Sequence, residues 1–156
     1  MIIRLAETND IPRIIDLLRQ VGQVHHELRP DLFRAGAQKY DEAALEALLK
    51  DPARPIFAAI MEGTLMGYCF CIHQVTKDDP VLCDRKNLYI DDLCVDETAR
   101  GKGVATALFR HVTAVAKAEG AKFITLNVWE GNSALRFYEK MGMKPRKVFM
   151  DLPLED

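Results

Sequence analysis

The 156-residue sequence predicts a single α/β domain built on one mixed sheet, and three observations carry that prediction. Strand-like apolar runs and helix-like stripes alternate in the order β-α-α-β-β-β-α-β-α-β. No repeat, low-complexity tract or linker interrupts that order. The chain is long enough to bury a core without staples, and its 49% apolar and 28% charged residues are ordinary for a globular domain.

"IIRLA" opens as a short strand. In "TNDIPRIIDLLRQVGQV", Thr8, Asn9 or Asp10 caps a helix with Pro12 early and Ile11, Ile14, Ile15 and Leu18 on one stripe. "HHELRPDLFRAG" reads as irregular. "DEAALEALLKD" is a second helix, stopped by Pro52 and Pro55. "PIFAAIME" and "LMGYCFCIHQV" form two strands joined by a hairpin signal at "EGT". After the polar loop "TKDDPVLCDRK" comes the strand "NLYIDDLCV", with two acidic residues near its middle. "GVATALFRHVTAVAKAEG" is an amphipathic helix with Val104, Leu108, Val112 and Val115 in register, closed by Gly120. "KFITLNV" is a strand, "SALRFYEKM" a short helix ended by Gly142, and "KVFMDL" a last strand.

Composition narrows the function classes. No apolar run approaches the roughly 20 residues that cross a bilayer, and "MIIRLAETND" turns charged too early for a secretory signal, so no membrane association and a cytoplasmic location are expected. Cys69, Cys71 and His73 would share one strand face, but the CxxC knuckles of metal sites are missing, so buried thiols and no metal are expected. Residues 1–99 hold 11 Lys+Arg against 17 Asp+Glu, while residues 100–147 hold 10 against 3. That split suits either separate anion- and cation-binding surfaces or scattered solvated charge. A nucleic-acid role is not expected, because the net charge is −2 and the basic residues are spread over several elements.

The stretch "DETARGKGVATALFRHV" carries the chemistry. A strand, then Arg100-Gly101-Lys102-Gly103, then a helix is an anion-binding arrangement, because the first helical turn leaves backbone N–H groups without partners. The P-loop pattern is absent, and the dinucleotide pattern GxGxxG fails at Thr106. What remains is Arg-x-x-Gly-x-Ala, met by Arg100, Gly103 and Ala105.

With "YIDDLCV" before it and "ALRFYEKMGM" near the end, the chain resembles the GNAT superfamily of acetyl-CoA-dependent N-acetyltransferases over nearly its whole length. The resemblance implies a mixed, mostly antiparallel sheet flanked by helices. It implies acetyl-CoA as cosubstrate, its pyrophosphate on Arg100, Gly101, Lys102, Gly103, Val104, Ala105 and Thr106, and its pantetheine arm along the backbone of Leu93, Cys94 and Val95. By the same resemblance the Val95 N–H is the oxyanion donor, and a homodimer is expected.

Where the family often has Asn seven residues before the motif tyrosine, this chain has Gly131, and Asn132 stands six before Tyr138. Asn132 is thus either a cofactor contact or a helix cap. Met143 replaces the family's usual Phe.

Tyr138 is the candidate acid, since a phenol is protonated at neutral pH and can donate to a leaving thiolate. Asp91 is the candidate base and attracts a cationic amine, as in the diamine and polyamine branch that this strand resembles. Strand alternation predicts that Asp91 and Asp92 point to opposite faces. His25 or His26 is either a base or a surface residue, and Trp129 and Phe33 either line the pocket or belong to the core. The expected reaction is acetyl transfer to a primary amine, with a small cationic molecule favoured over a protein N-terminus or lysine. A non-catalytic acyl-CoA sensor is the alternative from another class.

Overall fold

A computed structural model describes residues 1–155. Its five strands lie in the order β1 (Ile2–Leu5), β2 (Ile56–Met61), β3 (Thr64–Thr76), β4 (Arg85–Val95) and β5 (Phe123–Leu126). Neighbours from β1 to β4 are antiparallel, whereas β5 runs parallel to β4. A parallel neighbour needs a crossover, and helix α3 (Val104–Ala118) supplies it. The remaining helices are α1 (Ile11–Leu28), α2 (Glu42–Leu49) and α4 (Ala134–Lys140).

Strand alternation divides the core into two layers. Phe57, Cys69, Cys71, Leu88 and Ile90 pack with Val104, Leu108 and Val112 of α3 and with Tyr138 of α4. Ala58, Tyr68, Phe70 and Cys94 pack on the other side against Ile11, Ile14, Leu17 and Leu18 of α1 and Leu45 of α2. Gly67 lets α3 close onto the sheet, since a Cβ there would lie 2.8 Å from Val104 Cγ1 and 3.1 Å from the Cys94 carbonyl. At its far end α3 closes on two backbone bonds, Gly120 N–H to Lys117 O and Ala121 N–H to Ala116 O, as the Gly120 stop predicts.

Asp96 fastens this frame. It is only 4% exposed and follows directly on β4. Its carboxylate accepts from Arg13 (2.5 Å), Gln20 (3.1 Å), the Thr98 hydroxyl (2.5 Å) and the Thr98 N–H (2.9 Å). Arg13 also donates to the Leu65 carbonyl at 3.0 Å. One buried carboxylate thus ties α1, the β2–β3 hairpin and the segment leading to α3. The Thr98 hydroxyl first, and then Gln20, the Thr98 amide and Arg13, hold its pKa far below the usual carboxylate range.

Two expectations change. Helix α1 runs on to Leu28, so His25 and His26 are helical rather than irregular. "KVFMDL" is not a strand: residues 144–155 adopt no regular structure and make no ladder with β5. A strand's backbone is satisfied by a paired neighbour, and this segment makes no ladder although β5 leaves the outer edge of the sheet open. Cys69 and Cys71 do share a face, with sulfurs 3.7 Å apart, while His73 turns to Glu119 at 3.4 Å.

Replacing Asp96 with Asn should lower unfolding stability by about 3 kcal/mol at pH 7, because Arg13 is left without its buried partner. The depressed pKa means that the carboxylate's contribution is present above about pH 4 and lost as pH falls further toward the folded value. Denaturant titrations of both proteins at pH 7 and pH 3 check this: the gap should narrow in acid.

Candidate active site

β4 outlasts its neighbour. Pairing with β5 ends at Ile90 opposite Leu126, but β4 continues through Asp91, Asp92, Leu93, Cys94 and Val95, hydrogen-bonded to β3 alone. The edge that faced β5 is open over these residues, and an extended ligand can pair there as an added strand. Cys94 turns its thiol into the α1 layer, where Sγ lies 3.6 Å from the Leu17 carbonyl and burial pushes its pKa up to about 12. Only the Cys94 backbone serves the open edge.

That edge leads into a glycine turn at the start of α3. Gly101 and Gly103 have φ of +77° and +82°, a left-handed conformation that disfavours any side chain. Arg100, Gly101, Lys102 and Gly103 are exposed. A Cβ on Gly103 would meet no protein atom within 4 Å, so the space above it is free for a ligand. Helix α3 begins at Val104 with no side-chain cap. The amides of Val104, Ala105 and Thr106 in that first turn and the helix dipole open at this turn, which also carries the exposed Arg100 and Lys102. Val104 itself is buried, so it too contributes only its N–H.

The carboxylates depart from expectation. Phe70 pairs with Asp92, but Cys71 pairs with Ile90, which leaves Asp91 as an extra residue in β4. This β-bulge breaks the alternation. Asp92 accepts from the Tyr68 hydroxyl at 2.7 Å, and Asp91 from Lys39 Nζ at 2.8 Å and the Tyr40 hydroxyl at 3.1 Å. Tyr68 belongs to the α1 layer, and Tyr40 stacks on Phe70 of that layer. Both carboxylates therefore lie on the same face. Burial raises the Asp92 pKa to about 6, with the Tyr68 hydrogen bond opposing the shift. Lys39 and Tyr40, from the α1–α2 connection, carry no signal in the sequence, because their partner lies about 50 residues away.

Tyr138 sits on α4, 9% exposed, in the layer that also holds Leu93 and Val95. Its ring packs against Phe109 and Phe137. The hydroxyl makes no hydrogen bond among the described residues, and burial, followed by Cys69 and Asp92 nearby, holds its proton more firmly than in a free phenol. The Asn132 amide oxygen accepts from the Ala134 N–H at 2.9 Å, a local turn bond just before α4. His25, Phe33 and Trp129 come together: ring centroids are 5.0 Å apart for His25–Phe33 and 5.2 Å for Phe33–Trp129. They form a wall between α1 and the β5–α4 connection. His26 instead faces the Phe33 carbonyl, with Nδ1 at 2.7 Å. A depression of about 390 Å³ lined by Ala6, Glu7, Thr8, Glu46, Leu49 and Lys50 shares no residue with this site.

Comparison with known proteins gives a consistent picture. The acetyltransferase (GNAT) family model matches residues 21–143. A mutant of the BH1408 protein from Bacillus halodurans is 32% identical, with a TM-score of 0.95 over 99% of this chain and 100% of that one. An aminoglycoside acetyltransferase from an uncultured soil metagenomic sample, solved with sisomicin, is 19% identical, with a TM-score of 0.71 over 99% and 96% of the two chains. A Trypanosoma brucei acetyltransferase is 21% identical, at 0.69 over 98% and 99%. At these lower identities the likeness is one of fold. No curated protein matches the sequence.

Asp92 supplies a test of the local electrostatics. Its raised pKa favours folding below about pH 4, and that contribution is lost as pH rises through about 6. Asp92→Asn should therefore gain stability relative to the parent on going from pH 4 to pH 8, by on the order of 1–2 kcal/mol. Denaturant titration at the two pH values measures it; a constant difference would mean that Asp92 titrates as an ordinary carboxylate.

Proposed function

The chain belongs to the GNAT acetyltransferase family, and from that premise we propose that it transfers the acetyl group of acetyl-CoA to a primary amine, by direct attack of the amine on the thioester. The observation that carries this reading is the continuity of the site: the open edge of β4 at residues 91–95 runs into the uncapped start of α3 across Gly101 and Gly103. A strand-like arm ending in a pyrophosphate fits that sequence of features. Leu93, Cys94 and Val95 hold the arm through backbone bonds. Arg100, Lys102 and the amides from Gly101 to Thr106 hold the phosphates. Asn132, whose amide oxygen accepts from the Ala134 N–H just before α4, keeps its amide nitrogen for the cofactor.

The chemistry divides among three groups. The Val95 N–H meets the charge that develops on the thioester oxygen. As the new C–N bond forms and the C–S bond breaks, the thiolate takes the Tyr138 proton and the amine gives up one to Asp91, directly or through water. Tyr138 keeps its proton at working pH because burial disfavours the phenolate. Its unengaged hydroxyl is free to donate.

A small cationic amine is the acceptor this geometry favours. Asp91 already accommodates an ammonium, that of Lys39 at 2.8 Å, and Asp92 lies beside it in the sequence on the same face. Aminoglycosides, which carry several ammonium groups, are the substrate class of the neighbour solved with sisomicin. The aromatic wall of Phe33 and Trp129 closes one side.

Titration calorimetry with acetyl-CoA, then a thiol-release assay over a panel of polyamines, aminoglycosides and lysine peptides, tests the reading. Binding with turnover on a small amine sustains it, turnover on peptides alone moves the acceptor to proteins, and binding without turnover makes the chain a sensor. Gly103→Val should abolish binding, because its side chain fills the phosphate approach and is strained at φ +82°. Tyr138→Phe should lower kcat by about 100-fold while leaving acetyl-CoA affinity unchanged. Equal loss of both would make Tyr138 a packing residue.

A further inference from the structure

Asp91, the carboxylate assigned to the acceptor amine, already holds an ammonium of its own chain. Lys39 Nζ lies 2.8 Å from Asp91 Oδ2, and the two side chains are 48% and 17% exposed. With its charge matched in this way, Asp91 gains little from a second ammonium while Lys39 stays in place. An acceptor amine that is to give its proton to Asp91 therefore needs the position that Lys39 occupies.

The surroundings hold everything at this point except the Lys39 side chain. Gln38 accepts from Arg19 Nε of α1 at 3.1 Å and donates to the Tyr40 carbonyl at 2.8 Å. Asp41 caps α2 by accepting from the Ala44 N–H at 2.8 Å. The chain on both sides of Lys39 is thus fastened to a helix. Tyr40 stacks on Phe70 with centroids 5.5 Å apart, and its hydroxyl donates to Asp91 at 3.1 Å. Asp91 keeps this bond and its orientation when Lys39 withdraws. Lys39, by contrast, reaches Asp91 on a flexible, half-exposed stem that can swing into water without disturbing α2. Burial opposes its charge, but the Asp91 hydrogen bond outweighs burial and raises its pKa, so it competes as an ammonium. The same charge is felt by His25 of the aromatic wall, where burial first and Lys39 second lower the imidazole pKa. Lys39 therefore stands within electrostatic reach of both Asp91 and that wall.

We propose that Lys39 is an internal occupant of the acceptor's ammonium position, displaced from Asp91 when a cationic acceptor binds, and that this competition sets the affinity of the site. The inference rests on the reading of Asp91 given above. Exposed ion pairs are weak enough to be given up. A position filled by its own side chain about four-fifths of the time binds a ligand about fivefold more weakly than an open one. Lys39 is then a specificity-determining residue, because an acceptor without a positive charge has nothing to exchange for it.

Spermidine is the probe, with two readings on the full chain. In the thiol-release assay, Lys39→Met should lower the KM for spermidine about fivefold, with the gain in KM rather than in kcat. Lys39→Arg, which keeps a cation opposite Asp91, should restore the parent KM. Lys50→Met removes the same charge from the exposed end of α2 and should leave the KM where it was. The second reading needs no turnover. The Lys39 Nζ resonance of isotope-labelled protein, assigned by its loss in Lys39→Met, should shift or vanish when spermidine saturates the protein. Turnover with a KM that Lys39→Met does not change would overturn this inference and leave the enzyme reading standing. Absence of turnover would remove the enzyme reading, and displacement would still be read from the resonance and from calorimetry, where Lys39→Met should bind spermidine about fivefold more tightly. A resonance unmoved by saturating spermidine, or no spermidine binding by either protein, would overturn the inference.

Discussion

The extra residue in β4 is the constraint on which the site depends. Up to Ile90 the strand is an ordinary interior strand, paired on both sides. At Asp91 the count against β3 slips by one, and past that point the strand keeps β3 and loses β5. A bulge sharpens local twist, and the parting of two parallel neighbours comes directly after it. From this one irregularity come an exposed backbone edge in the middle of a sheet and two carboxylates on the same side. A regular strand would have sealed the edge against β5 and sent the carboxylates to opposite layers.

A freed edge is useful only if the turn beyond it is held still. Asp96 does this by taking four hydrogen bonds from α1 and from the turn after β4, so that the Gly101–Gly103 turn emerges from a fixed point. The two acidic environments illustrate how burial acts with and without compensation. Asp96 is surrounded by donors, and its charge is favoured. Asp92 has one hydroxyl, and its charge is opposed. Their contributions to stability run in opposite directions with pH, though the two residues lie four positions apart on one segment.

Much of the fold was legible because it rests on local periodicity. The α3 stripe of Val104, Leu108 and Val112, its Gly120 stop and the hairpin at Glu62–Gly63 each lie within a few residues of one another. The glycine turn was legible as a turn for a similar reason, since Gly101 and Gly103 take the left-handed conformation that their residue type favours, directly before α3. The length of α1 was not legible, because adjacent histidines followed by Pro30 look like a break, yet the helix turns out to end at Leu28 just before it.

By itself, the sequence determined the order of elements up to α4, the apolar stripe of α3 and the backbone character of the glycine turn at Gly101 and Gly103, all of them properties of residues close together along the chain. Tertiary structure alone decided where β4 leaves β5, which side Asp91 takes, and that Lys39, Tyr40 and Tyr68 are the partners of the two carboxylates. It also decided that "KVFMDL" stays unpaired. A strand's pattern can be written in its own residues, but its hydrogen bonds are supplied by a neighbour, and whether that neighbour is present is a property of the assembled molecule.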